Sequence, residues 1–307
     1  MKREEYNLIV ILGPTASGKT RIAARLARDL GSEVISADSR QVYRGMDLGT
    51  GKDVSEFMVD NVAVPCHLID IVDTDHEFNL FEYQKMFYRC FSDISDRGII
   101  PIMAGGTGLY LEAIIKDYHM LEVPEDSVLH ASLQKMDMNA MRDRLFKINP
   151  TLHNTTDTQD RDRLVRAIEI AEYSRTHEPV EGVKHPPVNP FVIGIRWDRS
   201  VLRARITRRL KERIDAGMIE EVRNLHDQGT DWERLDSFGL EYRYVSRYLQ
   251  GKVNFDEMFS KLNTRIHQFS KRQMTWFRRM ERRGVVIHWT DNADDDHVRW
   301  LVEENIG

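Results

Sequence analysis

The sequence predicts an α/β fold in which a parallel β-sheet is flanked by helices and interrupted by a helical insertion. Apolar runs typical of buried strands alternate with amphipathic helical patterns up to about residue 118, and a further strand pattern follows at residues 191–195. The stretch between them is helical in its periodicity and contains no strand pattern. We therefore expect a core in two parts, residues 1–118 and 185–307, with residues 119–184 inserted as a helical domain.

The composition is that of a globular protein, with 41% hydrophobic and 30% charged residues in 307. No apolar run approaches the length of about 20 residues that spans a membrane, and no signal-peptide pattern is visible at the N-terminus. The two cysteines, Cys66 and Cys90, cannot form a disulfide framework, and no histidine pairs with them at zinc-finger spacing. We expect a cytoplasmic monomer that does not associate with membranes.

A glycine-rich loop connects the first predicted strand, residues 8–12, to the first predicted helix. The loop reads Gly13-Pro14-Thr15-Ala16-Ser17-Gly18-Lys19-Thr20 and matches G-x-x-x-x-G-K-[ST] in the required strand–loop–helix context. Such a loop turns its backbone N–H groups toward a phosphate, and the helix N-terminus adds positive potential. The pattern predicts a P-loop NTPase-like core whose loop binds a phosphate or diphosphate. Lys19 would supply a charge, and the Thr20 hydroxyl would be a ligand of Mg²⁺.

Two further strand patterns end in residues suited to a ligand crevice. Residues 33–38 end in Asp38, and residues 99–104 run into Gly105-Gly106-Thr107. In open parallel sheets the crevice lies at the carboxyl ends of the strands, so Asp38 is expected near the bound phosphate. Asp38 is a candidate catalytic carboxylate; a helix N-cap or a metal ligand are the alternatives, and a cap role does not exclude catalysis. Residues 67–72 are predicted to form another strand, and residues 81–96 an amphipathic helix.

The insertion is predicted to contain a helix that breaks near Asp137 and a second helix around residues 164–171. After it, Asp198 is expected to cap a helix in which Arg205, Arg209 and Arg213 repeat every four residues. One of these arginines could hold a leaving diphosphate. A last strand is predicted at residues 285–289, followed by a terminal helix.

A long helix is predicted to begin at a capping box formed by Asn254 and Glu257. Its expected apolar side is formed by Phe255, Phe259, Leu262, Ile266, Phe269 and Phe277. A basic ridge beside it is formed by Arg265, Arg272 and Arg279. Although the whole chain has a net charge of −5, residues 196–283 carry 21 Lys or Arg against 13 Asp or Glu. This basic segment indicates either a polyanion partner such as a nucleic acid or simply solvated helix faces.

Taken together, these motifs resemble the bacterial tRNA dimethylallyltransferases, also called tRNA isopentenyltransferases, over nearly the whole chain. The stretches that carry the resemblance are the glycine loop and residues 35–39, 43–52, 104–110, 163–169, 205–209 and 271–278. A glycine loop alone occurs in many families, whereas this ordered set is specific.

The resemblance implies that dimethylallyl diphosphate binds in the glycine loop with Mg²⁺ as cofactor. The dimethylallyl group would pass to the N6 amine of the adenosine on the 3′ side of the tRNA anticodon, giving N6-isopentenyladenosine. By the same resemblance Asp38 is the base, while Thr107 and Arg209 lie near the adenosine and the diphosphate. The implied contacts to the tRNA anticodon stem-loop are Asp38, Ser39, Arg40, Gln41, Asp162, Arg163, Leu164, Val165, Arg166, Glu241, Tyr242, Arg243, Lys271, Arg272 and Gln273.

Three positions depart from the family pattern. Glu241 stands where a glycine is usual, His267 where a basic residue is common, and Leu129 where an arginine is frequent. We expect these departures to affect tRNA contacts and not the chemistry.

Three other functions fit parts of the pattern. They are prenyl transfer to a free adenylate, a small-molecule kinase of the P-loop type, and a non-catalytic RNA-binding protein. The insertion and the basic helices argue against a small acceptor. A kinase would need a second metal-binding aspartate at a strand end, and only Asp38 or Asp70 could be forced into that role. The intact glycine loop and Asp38 argue against a protein that only binds RNA.

Overall fold

The computed structural model describes residues 6–118, 120, 123–124, 126–150, 161–176 and 186–306. The chain falls into two compact units, a core unit of Met1–Tyr118 with His185–Gly307 and a helical unit of His119–Lys184. The expected boundary residues 119 and 184, and the N-terminal residues 1–5 that bear on a signal peptide, lie outside the described residues. In the part of the chain that is described, no helix combines the length and the apolar character needed to cross a membrane.

The first part of the core unit supplies most of the sheet. Its elements are β1 Leu8–Leu12, α1 Lys19–Leu30, β2 Val34–Ala37, a 3₁₀ turn Val54–Phe57, β3 Met58–Val59, β4 Val62–Ala63, β5 Cys66–His67, α2 Leu80–Ser95, β6 Ile102–Gly105 and α3 Gly108–Ile115. The helical unit contains α4 Ser127–Gln134, α5 Met138–Ile148 and α6 Arg161–Thr176.

The second part of the core unit is mainly helical. Its elements are β7 Pro190–Arg196, α7 Arg199–Asp215, α8 Met218–Asp227, α9 Trp232–Ser237, α10 Leu240–Leu249, α11 Phe255–Arg282, β8 His288–Asp291 and α12 Asp295–Asn305.

The main sheet has the strand order β5-β2-β6-β1-β7-β8, and every pairing in it is parallel. Strand β1 lies inside the sheet, where Leu12 is in register with Gly105 of β6 and Gly194 of β7. On the other side of β6, Ala37 of β2 is also in register with Gly105. The carboxyl ends of β2, β6 and β1 are therefore level. The predicted parallel α/β fold is confirmed.

Helices cover both faces of the sheet. Alternate residues of β1 enter two separate cores: Leu8, Val10 and Leu12 pack with α2, α3 and α11, whereas Ile9 and Ile11 pack with α1 and α12. All five side chains are fully buried, which explains why β1 is a continuous apolar run and not an alternating one. A third core lies among α7 to α11 and the loop after β2.

The strand prediction for residues 67–72 is wrong beyond His67, because β5 comprises only Cys66 and His67. Leu68 and Asp70 adopt positive φ angles of 62° and 55°, which end the extended conformation. The sequence analysis also missed α3, α8, α9 and the antiparallel hairpin of β3 and β4. These elements are short, so a periodic pattern has few residues in which to show itself.

Helix α11 begins at the predicted capping box: the Asn254 side chain accepts from the Glu257 N–H at 2.9 Å, and the Glu257 carboxylate accepts from the Asn254 N–H. Its predicted apolar side is partly wrong. Phe255 and Phe269 are 41% and 39% exposed, and the buried side instead includes Met280. Long-range packing selects the buried face, and an aromatic residue at the right spacing is not sufficient to define it.

The helical unit has its own small core. It is formed by Leu133, Met141, Leu145, Leu164, Val165 and Ile168, which are almost completely buried. The predicted helix break near Asp137 is confirmed, since Asp137 is the N-cap of α5 and its carboxylate accepts from the Asn139 N–H at 2.7 Å.

Two phenylalanines of α11 provide a test of its packing. Phe277→Ala should lower the free energy of unfolding by about 3 to 5 kcal/mol, because the side chain is fully buried under the sheet. The matched control Phe269→Ala, on the exposed side, should cost below about 1 kcal/mol. Urea unfolding measures both, and equal losses would contradict the orientation of the helix.

Candidate active site

Three loops meet at the carboxyl edge of the sheet. They are the glycine loop after β1, residues 38–41 after β2, and residues 105–107 after β6, whose strands are neighbours. A small pocket between them is lined by Lys19, Thr20, Val34, Ser36, Asp38, Gln41, Phe57, Ala104 and Gly105. The structure thus brings the predicted phosphate-binding residues and Asp38 together.

The glycine loop forms a backbone cradle that leads into α1. Gly18 is the N-cap residue of α1 and adopts a φ of 86°, a conformation that glycine reaches without strain. The Ser17 N–H donates to the Pro14 carbonyl oxygen at 3.2 Å, which closes the turn. The Ser17 side chain is fully buried, and its hydroxyl has no hydrogen-bond partner among the described residues. The N-terminus of α1 beside it is suited to an anion.

Side chains from distant segments hold the loop from outside. The Trp197 indole N–H donates to the Ser17 carbonyl oxygen, and the Arg205 Nε donates to the Ala16 carbonyl oxygen, both at 2.9 Å. Arg205 also lies over the Trp197 ring, 4.3 Å from its centre. With these carbonyl groups engaged, the loop is fixed before any ligand arrives.

Lys19 lies in an electrostatically mixed environment. Burial lowers the pKa of its ammonium group from the ordinary value of lysine, and the nearby Arg209 lowers it further, whereas Asp38 acts in the opposite direction. A dehydrated cation with a second cation nearby is favourable for an anionic ligand, whose charge would relieve the repulsion.

Asp38 and Thr107 lie just beyond the carboxyl ends of the neighbouring strands β2 and β6. Asp38 Oδ1 accepts from the Arg40 N–H, and Thr107 Oγ1 accepts from the Ser39 N–H, both at 3.0 Å. Residues 39–42 form turns and not a helix, so Asp38 is not a helix N-cap. A carboxylate accepts several hydrogen bonds, and Asp38 can therefore take a further donor from a substrate.

All three arginines of the α7 stripe contact loops of the site. In addition to Arg205, Arg209 donates to the Gly51 carbonyl oxygen at 3.0 Å and pairs with the Asp53 carboxylate. Arg213 is buried and donates to the Gly49 carbonyl oxygen at 2.8 Å. The predicted arginine at the crevice is thus held beside the loop that follows β2.

That loop is fixed by two charged residues that the sequence analysis missed, the buried Lys52 and the partly buried Glu221. Lys52 is 6% exposed and donates to the Tyr43 carbonyl oxygen and the Asp47 carboxylate, and it also pairs with Asp70. Glu221 of α8 accepts from three successive backbone N–H groups, those of Asp47, Leu48 and Gly49. Lys52 belongs to a stretch that carried the resemblance, whereas no local signal marks Glu221.

The residues implied to contact tRNA have different environments in the core unit. Lys271 and Arg272 are exposed on α11, and Arg40 and Arg243 are partly exposed. By contrast, the side chain of Tyr242 is 1% exposed and donates its hydroxyl to Glu221 at 2.7 Å. Gln273 is 7% exposed and bonds to two active-site loops. The side chains of Tyr242 and Gln273 are therefore not accessible to tRNA, and only exposed residues beside them could contact it.

In the helical unit, the implied tRNA contacts all lie at the start of α6. Asp162 and Arg163 are exposed, whereas Leu164 and Val165 are fully buried in the core of that unit. Arg166 pairs with Glu169 at 3.0 Å and donates to the Val123 carbonyl oxygen at 2.7 Å. The polar surface for RNA at this position is thus limited to the exposed side of α6.

The structure shows the environment of each of the three residues that depart from the family pattern. Glu241 accepts from Arg213 at 3.0 Å and so neutralises a buried guanidinium, while Gly239 precedes α10 as its N-cap. Burial lowers the pKa of His267, which disfavours a positive charge at this position. The third departure, Leu129, packs against the core of the helical unit.

Comparison with known proteins identifies the family. A family model described as IPP transferase matches residues 41–280, and one described as Isopentenyl transferase matches residues 6–61. The tRNA dimethylallyltransferase 1 of Syntrophus aciditrophicus is 55% identical over 300 residues, which are 98% of each chain.

Solved structures agree with this assignment. The tRNA isopentenylpyrophosphate transferase of Bacillus halodurans aligns with a TM-score of 0.68 and 32% identity over 98% of each chain. A eukaryotic dimethylallyltransferase acting on tRNA has a similar fold, with a TM-score of 0.74 at 21% identity over 98% of this chain and 77% of that one.

The fold and the glycine loop define a protein of the P-loop class with a phosphate cradle at the end of β1. Within that class, the chain belongs to the tRNA dimethylallyltransferase family and is a transferase.

The buried pair of Arg213 and Glu241 is expected to stabilise the site. Glu241→Ala should lower the free energy of unfolding by about 3 to 5 kcal/mol, because it removes the carboxylate that pairs with the buried guanidinium of Arg213. The control Asp236→Ala breaks the more exposed pair with Arg243, at 2.9 Å, and should cost at most about 1 kcal/mol. Chemical denaturation distinguishes the two, and a Glu241 variant as stable as the control would show that the pair contributes little.

Proposed function

We propose that this protein transfers the dimethylallyl group of dimethylallyl diphosphate to the N6 amine of the adenosine next to the anticodon on its 3′ side. The product is N6-isopentenyladenosine in tRNA, formed by a monomer in the cytoplasm. The observation that carries the proposal is the meeting of the glycine loop, Asp38 and Thr107 at the level ends of three adjacent parallel strands. Membership of the family supports the choice of donor and acceptor.

The site supplies the groups that this reaction requires. The donor's diphosphate would lie against the glycine loop, with Lys19 and Arg209 meeting its negative charge. N6 attacks the allylic carbon, a C–N bond forms, and the C–O bond to the diphosphate breaks with its electron pair on the leaving oxygen. N6 becomes cationic as it bonds, and Asp38 accepts its proton. The adenosine remains neutral at the end, and diphosphate leaves as an anion.

Thr107 and Arg209 have distinct proposed roles. Thr107 Oγ1 is fixed by the Ser39 N–H and lies at the end of β6, where it would contact the adenosine. Arg209 is already oriented by Gly51 and Asp53, so it would approach the diphosphate with little loss of side-chain freedom.

Mg²⁺ fits the oxygen chemistry of the site. The Thr20 hydroxyl and the Asp38 carboxylate line the same pocket, and hard oxygen ligands are those that Mg²⁺ prefers. Among the described residues there is no group of three or more His, Cys, Asp or Glu side chains arranged around a metal. Thr20 would therefore hold Mg²⁺ together with diphosphate oxygens and water, and the ion would neutralise charge on the leaving group.

The basic surface of α11 supports a polyanionic acceptor. Lys271 and Arg272 are exposed there, as are Lys261, Arg265 and Arg278 on the same helix. We propose that these residues contact the tRNA backbone, together with the exposed start of α6 in the helical unit and, in the core unit, residues 38–41 and the partly exposed Arg243. The adenosine must leave its base stack to reach Asp38, which costs unstacking free energy. Contacts spread over the anticodon stem-loop would offset this free energy.

A transfer assay distinguishes the proposed function from its alternatives. The protein is incubated with radiolabelled dimethylallyl diphosphate, Mg²⁺ and either unmodified tRNA or AMP. We expect label in tRNA only. Label in AMP would indicate a free-nucleotide transferase, and ATP turnover without prenyl transfer would indicate a kinase.

Asp38→Ala tests the proposed base. The variant should lose about 10²- to 10⁴-fold in kcat, because N6 then has no proton acceptor in the site. Its affinity for tRNA, measured by filter binding, should stay within about twofold of wild type, since most backbone contacts are elsewhere. A variant with the wild-type rate of transfer would contradict the assignment.

A further inference from the structure

Gln273, on the buried side of α11, joins the two loops that border the proposed diphosphate site. Its Oε1 accepts from the Thr15 backbone N–H at 2.8 Å, and its Nε2 donates to the Gly106 carbonyl oxygen at 2.8 Å. Thr15 belongs to the glycine loop after β1, and Gly106 to the turn after β6. We propose that Gln273 is a positioning residue that holds both loops in the geometry that binds the donor's diphosphate. This inference rests on the proposed function.

The bridge requires the chemistry of a carboxamide. A backbone N–H can only donate and a backbone carbonyl can only accept, so a side chain that joins them must offer both an acceptor and a donor. Glutamine does this with one rigid amide group. Glutamate lacks the donor, asparagine is one methylene shorter, and methionine has a similar length but makes neither strong hydrogen bond.

The amide of Gln273 is buried, so water cannot readily replace the two hydrogen bonds of the bridge. The residue is 7% exposed, so breaking the bridge would bury unpaired polar groups. Gly106 allows the close approach: a Cβ there would lie 2.5 Å from the Gln273 Nε2 and 3.5 Å from the Lys19 Cε. The bridge therefore packs directly beside the lysine proposed to meet the diphosphate.

The rest of α11 fixes the position of Gln273 along the helix axis. Glu112 of α3, 1% exposed, accepts from Arg279 at 2.6 Å and from Arg283 at 3.1 Å. Trp276 packs against Gly108 at the start of α3, and Arg279 lies 3.9 Å from the centre of its ring. Because α3 begins directly after the turn at Gly106, these contacts hold Gln273 in register with that turn.

The bridge also determines which backbone groups face a ligand. The Thr15 N–H is engaged by Gln273, and the Ser17 N–H is engaged by Pro14. The N–H groups of Gly18 to Thr20 lie at the N-terminus of α1, where the first backbone donors of a helix have no intrahelical partner and the helix dipole favours a phosphate. Without the bridge, the first half of the glycine loop could adopt conformations other than the one that binds diphosphate.

Three variants on one helix test the role. Gln273→Met keeps the length and removes both hydrogen bonds, whereas Gln273→Glu keeps an acceptor, loses the donor and adds a negative charge near the diphosphate. The control Gln268→Glu makes the same chemical change on the exposed side of α11, where Gln268 accepts from Arg265 at 3.0 Å. The ligand is inorganic diphosphate with Mg²⁺, titrated by calorimetry without tRNA, and thermal unfolding checks that each variant is folded.

We expect the Kd for diphosphate to rise about tenfold in Gln273→Met and about a hundredfold in Gln273→Glu. The KM for dimethylallyl diphosphate should rise by the same factors, while kcat stays within about threefold, because Asp38 is unchanged. Gln268→Glu should weaken tRNA binding and leave the diphosphate Kd within about twofold of wild type.

Wild-type diphosphate affinity in Gln273→Met would overturn the positioning role. So would a Gln273→Glu variant that loses only tRNA affinity, since its behaviour would then match that of the exposed control. The diphosphate titration needs no acceptor, so it remains decisive if the transfer assay fails. A wild-type protein that binds diphosphate but does not prenylate tRNA would overturn the proposed function alone.

Discussion

The parallel pairing of β2, β6 and β1 is the constraint on which the site depends. Leu12 and Ala37 are both in register with Gly105, so the three strands end at one level. A shift of one residue in either pairing would move the glycine loop or Asp38 by about 3 Å and reverse the facing of alternate side chains. Because β1 is buried on both faces, such a shift would also exchange its side chains between the two cores and disrupt the packing of both.

A second layer of structure holds the loops that leave these strands. The stretch 43–53 contains several glycines and has little regular structure, yet buried charged groups fix it at many points. Lys52, Glu221 and Arg213 each bond to its backbone, and Glu241 neutralises Arg213. Most polar atoms of these groups are hydrogen-bonded within the protein, and the buried Arg213 Nε is an exception among the described residues. The loop in turn holds Arg209 through the Gly51 carbonyl oxygen and the Asp53 carboxylate.

Helix α11 has two different faces, and each serves a different substrate in the function proposed above. Its exposed face carries Lys271 and Arg272, suited to a polyanion, whereas its buried face carries Gln273 against the glycine loop. The two faces are adjacent along the chain because successive residues of a helix point in different directions. A single helix therefore contributes both to the basic surface and to the cradle.

The sequence by itself determined the features that depend on neighbouring residues. The apolar run of β1, the glycine motif that leads into α1, and the capping box of α11 are each encoded within about eight residues, and the structure has all three. Local backbone chemistry is sufficient for such features, since the interacting groups are already close in the chain.

Only the tertiary structure decided which side chains meet across the chain. Gln273 lies 258 positions from Thr15 in the sequence. It directly follows the exposed Lys271 and Arg272, so the sequence alone suggests that Gln273 is also on the surface. Glu221 and the pair of Arg213 and Glu241 are likewise recognised only once α7, α8 and α10 are packed together. The side-chain face that a helix buries depends on its partners, and no local pattern contains that information.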